Sequence, residues 1–183
     1  MQDKASFRRS GLLRRAALPA QQREDAAQAL MAWLRDLVVG ARRVAAYVSV
    51  GSEPRTTSLL ALRDDVLLPV LLPDDDLDWA VGRDLRPGPR GLLEPVGPRL
   101  GGAAISSCDL VLVPALAVDV AGTRLGRGGG SYDRALRRAT GRTIALLHDG
   151  ELVERLPADP HDVPVTAAVT PSGGLLETAP ARA

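Results

Sequence analysis

The stretch LVLVPALAVDVAGTRLGRGGGSYDRALRRA, residues 110–139, constrains this chain more than any other part of it. It opens on four apolar residues and Pro114, short and β-rich enough for a buried strand. A loop leads to the run Gly126, Arg127, Gly128, Gly129, Gly130; Ser131 then suits a helix cap, and residues 132–139 take helical spacing. Tyr132, Leu136 and Ala139 fall on one face of that helix, with Arg134, Arg137 and Arg138 off it. A glycine-rich loop feeding a helix is a ready anion site. Glycines let backbone N–H groups approach a phosphate closely, and the positive end of the helix dipole favours the charge. Arg124 and Arg127 add two guanidiniums suited to phosphate oxygens. Asp133 puts a carboxylate in the first helical turn, where it could hold a hydrated magnesium against the same phosphates.

Two better-known glycine loops do not fit. No Lys-Ser or Lys-Thr pair follows the glycines, so this is not a P-loop, and Ser131 stands at the sixth position of the dinucleotide fingerprint. From the residues alone, the choice lies between a phosphate loop and a flexible surface turn.

The flanking sequence supplies the scaffold. Residues 3–17 read as a helix with Asp3 as cap and with Phe7, Leu13 and Ala17 inward. Lys4, Arg8, Gly11 and Arg15 follow one another at spacings of four, three and four, which puts three cations on one stripe. Like charges so placed repel, so the stripe faces either solvent or a polyanion. Pro19 starts a second helix, cored by Ala26, Ala27, Leu30, Met31, Leu34, Leu37 and Val38 and stopped by Gly40. Strands are expected over 43–50, 66–72, 77–81, 143–148 and 165–170, with Pro69 suggesting an edge or irregular position. Glu53 lies just past the first strand, where open α/β sheets place ligands; His161 and Asp162 also neighbour a strand end. Residues 83–102, dense in proline and glycine, read as loop. The pattern predicts a three-layer α/β/α fold with a mostly parallel central sheet, one domain over 1–170, and a flexible tail over 171–183.

Composition narrows the function. A net charge of +1 supplies no global field for nucleic acid or an anionic membrane, and aromatics at 3% leave no base-stacking surface. The single cysteine, Cys108, excludes an intrachain disulfide, and two distant histidines make no zinc constellation. No signal peptide or spanning apolar run is visible, so a cytoplasmic monomer acting on small molecules is expected. Lys4 is conspicuous as the only lysine.

DLVLVPALAVDVAGTRLGRGGGSYDRAL resembles the central block of the 5-formyltetrahydrofolate cyclo-ligase (methenyltetrahydrofolate synthetase) family. Four further blocks are similar in the same order: Lys4-x-x-x-Arg8, YVSVGSEPRTTSLL, GLLEP and LPADPHDVPVTAAVT. The resemblance implies ATP- and magnesium-dependent closure of 5-formyltetrahydrofolate to 5,10-methenyltetrahydrofolate, releasing ADP and phosphate. In that chemistry the formyl oxygen attacks the γ-phosphate, N10 adds to the resulting imidate phosphate, and phosphate departs. It further implies that Lys4 and Arg8 grip phosphate, and that Arg124, Leu125, Gly126, Arg127, Gly128, Gly129, Gly130, Ser131 and Tyr132 wrap ATP. Residues 127–131 would also abut the folate; Lys4, Arg124, Arg127 and Asp133 would carry catalysis. Asp133 and Asp162 resemble the magnesium acids, Glu53 the pterin carboxylate, and Trp79 a folate-pocket wall. One residue departs: Ser131 stands where the family usually has the first of two tyrosines. Two alternatives stay open, a non-catalytic folate- or nucleotide-binding homologue and a phosphosugar- or CoA-handling enzyme on a related scaffold.

Overall fold

Asp3 caps the first helix, α1 (Lys4–Ala17), accepting the Ser6 N–H at 2.8 Å in the computed structural model, which describes residues 3–178. The inward face of α1 differs from the expected one. Phe7 is half-buried, but Leu13 and Ala17 are exposed, while Gly11 and Arg15 are buried. The stripe of Lys4, Arg8, Gly11 and Arg15 is the face turned inward, because it meets carboxylates and carbonyls rather than an apolar sheet face. Helix α2 (Ala20–Gly40) follows Pro19 and buries Ala27, Leu30, Leu34 and Val38, one stripe at helical spacing.

Strand β1 (Val44–Ala45) is shorter than the expected 43–50. Past Ala46 the Thr56 side chain takes over the backbone's partners, donating to the Tyr47 carbonyl at 2.7 Å and accepting the Ser49 N–H at 3.1 Å. That turns the chain out of the sheet before the single turn α3 (Thr57–Leu60). Strands β2 (Leu67–Leu71) and β3 (Leu77–Val81) form an antiparallel hairpin. Pro69 is not on an edge strand, since β2 lies between β1 and β3. It is tolerated because β1 pairs with β2 only at Ala45 and Leu67, so that ladder has already ended.

Residues 83–102 hold more than loop: β4 (Leu85–Pro87) and β5 (Leu93–Pro95) pair antiparallel. The buried Glu94 carboxylate ties this hairpin to the Leu71 N–H at 3.0 Å. After β6 (Leu110–Pro114) come the short pair β7 (Ala117–Asp119) and β8 (Arg124–Leu125), the glycine run, and α4 (Ser131–Leu136). Then follow β9 (Arg142–Leu146), β10 (Leu152–Val153), β11 (Ala167–Thr170) and β12 (Gly174–Glu177). The expected tail is therefore partly an edge strand, β12, antiparallel to β11; residues 179–183 lie outside the described residues.

The main sheet runs β12-β11-β9-β6-β1-β2-β3, parallel except at its two edges. Alternation along β6 sends Val111 and Val113 into one core, with Ala135 and Leu136 of α4, and Leu110 and Leu112 into the other, with Leu30 and Leu34 of α2. From β1 the chain travels outward to β2 and β3, then returns to the other side of β1 as β6. The strand order thus reverses between β1 and β6, and a crevice at the C-terminal ends of these two strands is the physical consequence.

Candidate active site

That crevice is a cleft of about 330 Å³, lined by residues following β1 (Tyr47, Val48, Glu53), residues following β6 (Ala115, Leu116), the glycine run, and the inward stripe of α1. The turn between β7 and β8 delivers Arg124 and Leu125 to its floor. The buried Asp119 carboxylate accepts N–H bonds from Ala121 (3.0 Å), Thr123 (2.8 Å) and Leu156 (3.0 Å). Gly122 completes that turn with φ at +88° and no room for a side chain, a Cβ there falling 2.4 Å from the Val165 carbonyl oxygen.

Arg124 leaves this floor nearly buried, its Nη2 donating to Asp133 at 2.8 Å and its guanidinium 5.7 Å from the Tyr132 ring centre. The Arg124 Nε and the Tyr132 hydroxyl are buried without a partner among the described residues, and both residues line the cleft. Burial, then the nearby Glu53, pushes the Tyr132 hydroxyl well above the usual phenol range, so it is an O–H donor at any physiological pH.

The first helix closes over the loop. Arg8 Nε donates to the Gly126 carbonyl at 3.0 Å, and a Cβ on Gly128 would lie 3.5 Å from the Arg8 guanidinium carbon. Lys4 reaches across to the C-terminal segment, donating to Asp159 at 2.7 Å and to Asp162 at 2.5 Å. Burial pulls the Lys4 ammonium down, but these two carboxylates outweigh it and leave it above the ordinary lysine value. Burial acts upward on Asp162, yet the Asp159 N–H and Lys4 hold its carboxyl below the usual range. Glu53 accepts the Val50 N–H at 2.9 Å and faces Arg127 Nε at 3.4 Å.

Most residues read from the sequence therefore converge: Lys4, Arg8, Glu53, Asp133, Asp162 and the whole run 124–132 line one cleft. Two readings need correction. Trp79 does not line it; the ring is 1% exposed inside the core with Leu77 and Val111, because its position on β3 faces the sheet-helix interface. Ser131 is not the cap of α4. Gly130, at φ +70°, holds the cap position and no side chain caps the helix, because a left-handed turn excludes most other residues there. Helix α4 also ends at Leu136, so its dipole contributes little, and loop amides and guanidiniums carry the positive field. Asp133 and Asp162, the two acids read as magnesium-associated, both line the cleft and sit in different polar clusters. The close set around Asp162 is Asp159 and His161, whereas Asp133 is held by Arg124. Asp159 was legible only as half of a turn, Asp159-x-x-Asp162, in which each residue accepts the other's N–H.

The 5-formyltetrahydrofolate cyclo-ligase family model matches residues 1–171. The chain belongs to this family. It is 43% identical to the 5-formyltetrahydrofolate cyclo-ligase of Mycolicibacterium smegmatis over 94% of this chain and 96% of that protein. With the Escherichia coli K12 cyclo-ligase it shares 34% over 87% and 94% of the two chains. The solved structure of Aquifex aeolicus 5,10-methenyltetrahydrofolate synthetase superposes with a TM-score of 0.84 at 28% identity, covering 98% and 95%. Family membership turns the cleft from a generic anion pocket into a site to be read against cyclo-ligase chemistry. Ser131, the departure from the family's usual tyrosine, lines the cleft between Gly130 and Tyr132.

Proposed function

We propose that this protein is a 5-formyltetrahydrofolate cyclo-ligase that joins ATP hydrolysis to closure of the formyl group onto N10. One observation carries the reading: α1 folds back so that Lys4 and Arg8 share a cleft with the glycine run, Arg124 and Arg127. A triphosphate asks for that concentration of cations and close main-chain amides. Glu53, a two-oxygen acceptor at the far side of Arg127, suits the N–H-rich edge of a pterin.

The residues fit a magnesium ion with the nucleotide. Asp159 and Asp162 already hold a cation, the Lys4 ammonium, and their carboxylate oxygens are the hard donors magnesium prefers; Asp133 offers another on the opposite wall. When bound, the ion would neutralise phosphate charge. The chain's own groups do the rest. Loop amides and Arg8 hold the phosphates in line with the formyl oxygen, which displaces ADP as a P–O bond forms. Arg124 and Arg127 face the charge that develops on the transferred phosphoryl group. N10 then adds to the imidate carbon, the C–O bond breaks, inorganic phosphate leaves and N10 gives up its proton. No protein nucleophile takes part.

Initial rates of methenyl product formation, with and without ATP and magnesium, test the reaction. Product appearing only with both is the expected result. Folded protein that makes none at saturating substrate refutes it.

A further inference from the structure

Arg15, nearly buried in the lining of the cleft, forms an ion pair that the reaction itself does not use. Arg15 Nε donates to Glu151 Oε1 at 2.6 Å and Nη2 to Oε2 at 2.7 Å, with both side chains 2% exposed. The same Nη2 donates to the Ala115 carbonyl at 2.5 Å, just past the end of β6. Glu151 also accepts the His148 N–H at 2.8 Å, just past β9, and its own carbonyl accepts the Val118 N–H at 3.0 Å. One turn earlier on α1, Gly11 lies against Leu116, where an added Cβ would sit 3.6 Å from the carbonyl oxygen. One point on α1 is thereby pinned to the segments that follow β6 and β9.

We infer that the Arg15–Glu151 pair is a positioning device: it sets the tilt and roll of α1, and so where Lys4 and Arg8 stand over the glycine run. Arg15, Arg8 and Lys4 share one helix stripe, so a roll that misplaces Arg15 misplaces the other two in the same sense. Leverage favours control from this end. Lys4 lies eleven residues up a continuous helix, about 16 Å away, so a tilt of about 5° at Arg15 moves it by about 1.4 Å. Displacements of that size are large against the tolerance of a reacting geometry. The two-point guanidinium contact supplies what burial of apolar surface does not: a fixed angle as well as a fixed distance. This rests on the reading of the cleft as a nucleotide site.

The test separates angle from stability. Arg15→Met alone strands a buried carboxylate and is expected to melt early. The double variant Arg15→Met with Glu151→Met removes both charges and fills the space with apolar groups, at the cost of the bonds to the Ala115 carbonyl and the His148 N–H. Its expected signature is a melting temperature recovered toward that of the unaltered protein, with the dissociation constant for magnesium-ATP by calorimetry still raised about tenfold or more. The KM for formyltetrahydrofolate stays within about twofold. ATP affinity returning with stability shows a purely structural pair and overturns the inference. If the double variant stays unstable, Arg15→Lys decides: it keeps the charge but not the two-point contact, so weakened ATP binding supports the inference and unchanged binding overturns it. Unaltered protein that binds no ATP removes the nucleotide reading itself; increased amide exchange confined to α1 in the double variant still marks the pair as the pin of that helix.

Discussion

Gly126 tests the packing logic of the cleft with a single methyl group. A Cβ built there would lie 2.7 Å from Arg124 Nη1, 3.7 Å from Cζ and 3.9 Å from Nη2, the guanidinium supplying all three of its nearest atoms. Ordinary contact begins near 3.5 Å, so the guanidinium must retreat by about 0.8 Å. It cannot swing into solvent, because the side chain is 3% exposed and backed by Tyr132. A retreat of that size takes the 2.8 Å bond from Nη2 to Asp133 past hydrogen-bonding range. Gly126→Ala is therefore expected to lose about 1.5–3 kcal/mol, the worth of a charged hydrogen bond. For a chain of this length that lowers the melting temperature by roughly 3–12 °C. The sharper measurement is a double-mutant cycle with Arg124→Ala, scored by urea unfolding and by initial rates. With the guanidinium gone the methyl has room, so Gly126→Ala becomes nearly neutral in that background. An equal loss in both backgrounds refutes the reasoning, because the steric partner would then not be Arg124.

Other expectations can be checked with similar means. Lys4→Met removes the cation between Asp159 and Asp162 and, with it, the phosphate contact proposed for Lys4; the KM for ATP is expected to rise about tenfold or more, with the KM for formyltetrahydrofolate nearly unchanged. In that variant magnesium alone should raise the melting temperature more than it does in the unaltered protein, since no ammonium competes for the carboxylates; equal shifts would separate Asp159 and Asp162 from the metal. The Lys4–Asp162 link has a defined pH window. The Asp162 carboxyl lies below its ordinary 3.8, so the stabilisation is complete above that value and vanishes as pH falls through the lower folded value. His148 acts in the same direction at higher pH: burial lowers its folded value below 6.5, Glu151 and the Ser52 carbonyl only partly opposing. The unfolded chain then binds the proton first, so stability should decline as pH drops below about 6.5, and His148→Asn should flatten that slope in urea titrations.

How far the residues speak for themselves depends on the range of the interaction. Periodicity marked α2, β2, β3, β9 and β11 well, because each has a strong apolar pattern whose partner need not be known. The glycine run was legible as a place of close backbone approach for the same local reason. The hairpin of β4 and β5 was not, since three-residue strands carry little pattern and proline and glycine dominate the stretch. Trp79 shows the limit from the other side: a large ring at a strand position suits a core and a pocket wall equally until the facing layer is known.

The local sequence thus determined the two long helices and the longer strands, and that a strand, a glycine loop and a helix meet at residues 110–139. Only the tertiary structure decided what the cationic stripe of α1 faces, because Arg15 finds Glu151 136 positions away and Lys4 finds Asp162 158 positions away. Charges on a helix surface look alike whether solvent or carboxylates await them. The distinction lies in desolvation and pairing, and those exist only once distant segments have been brought together.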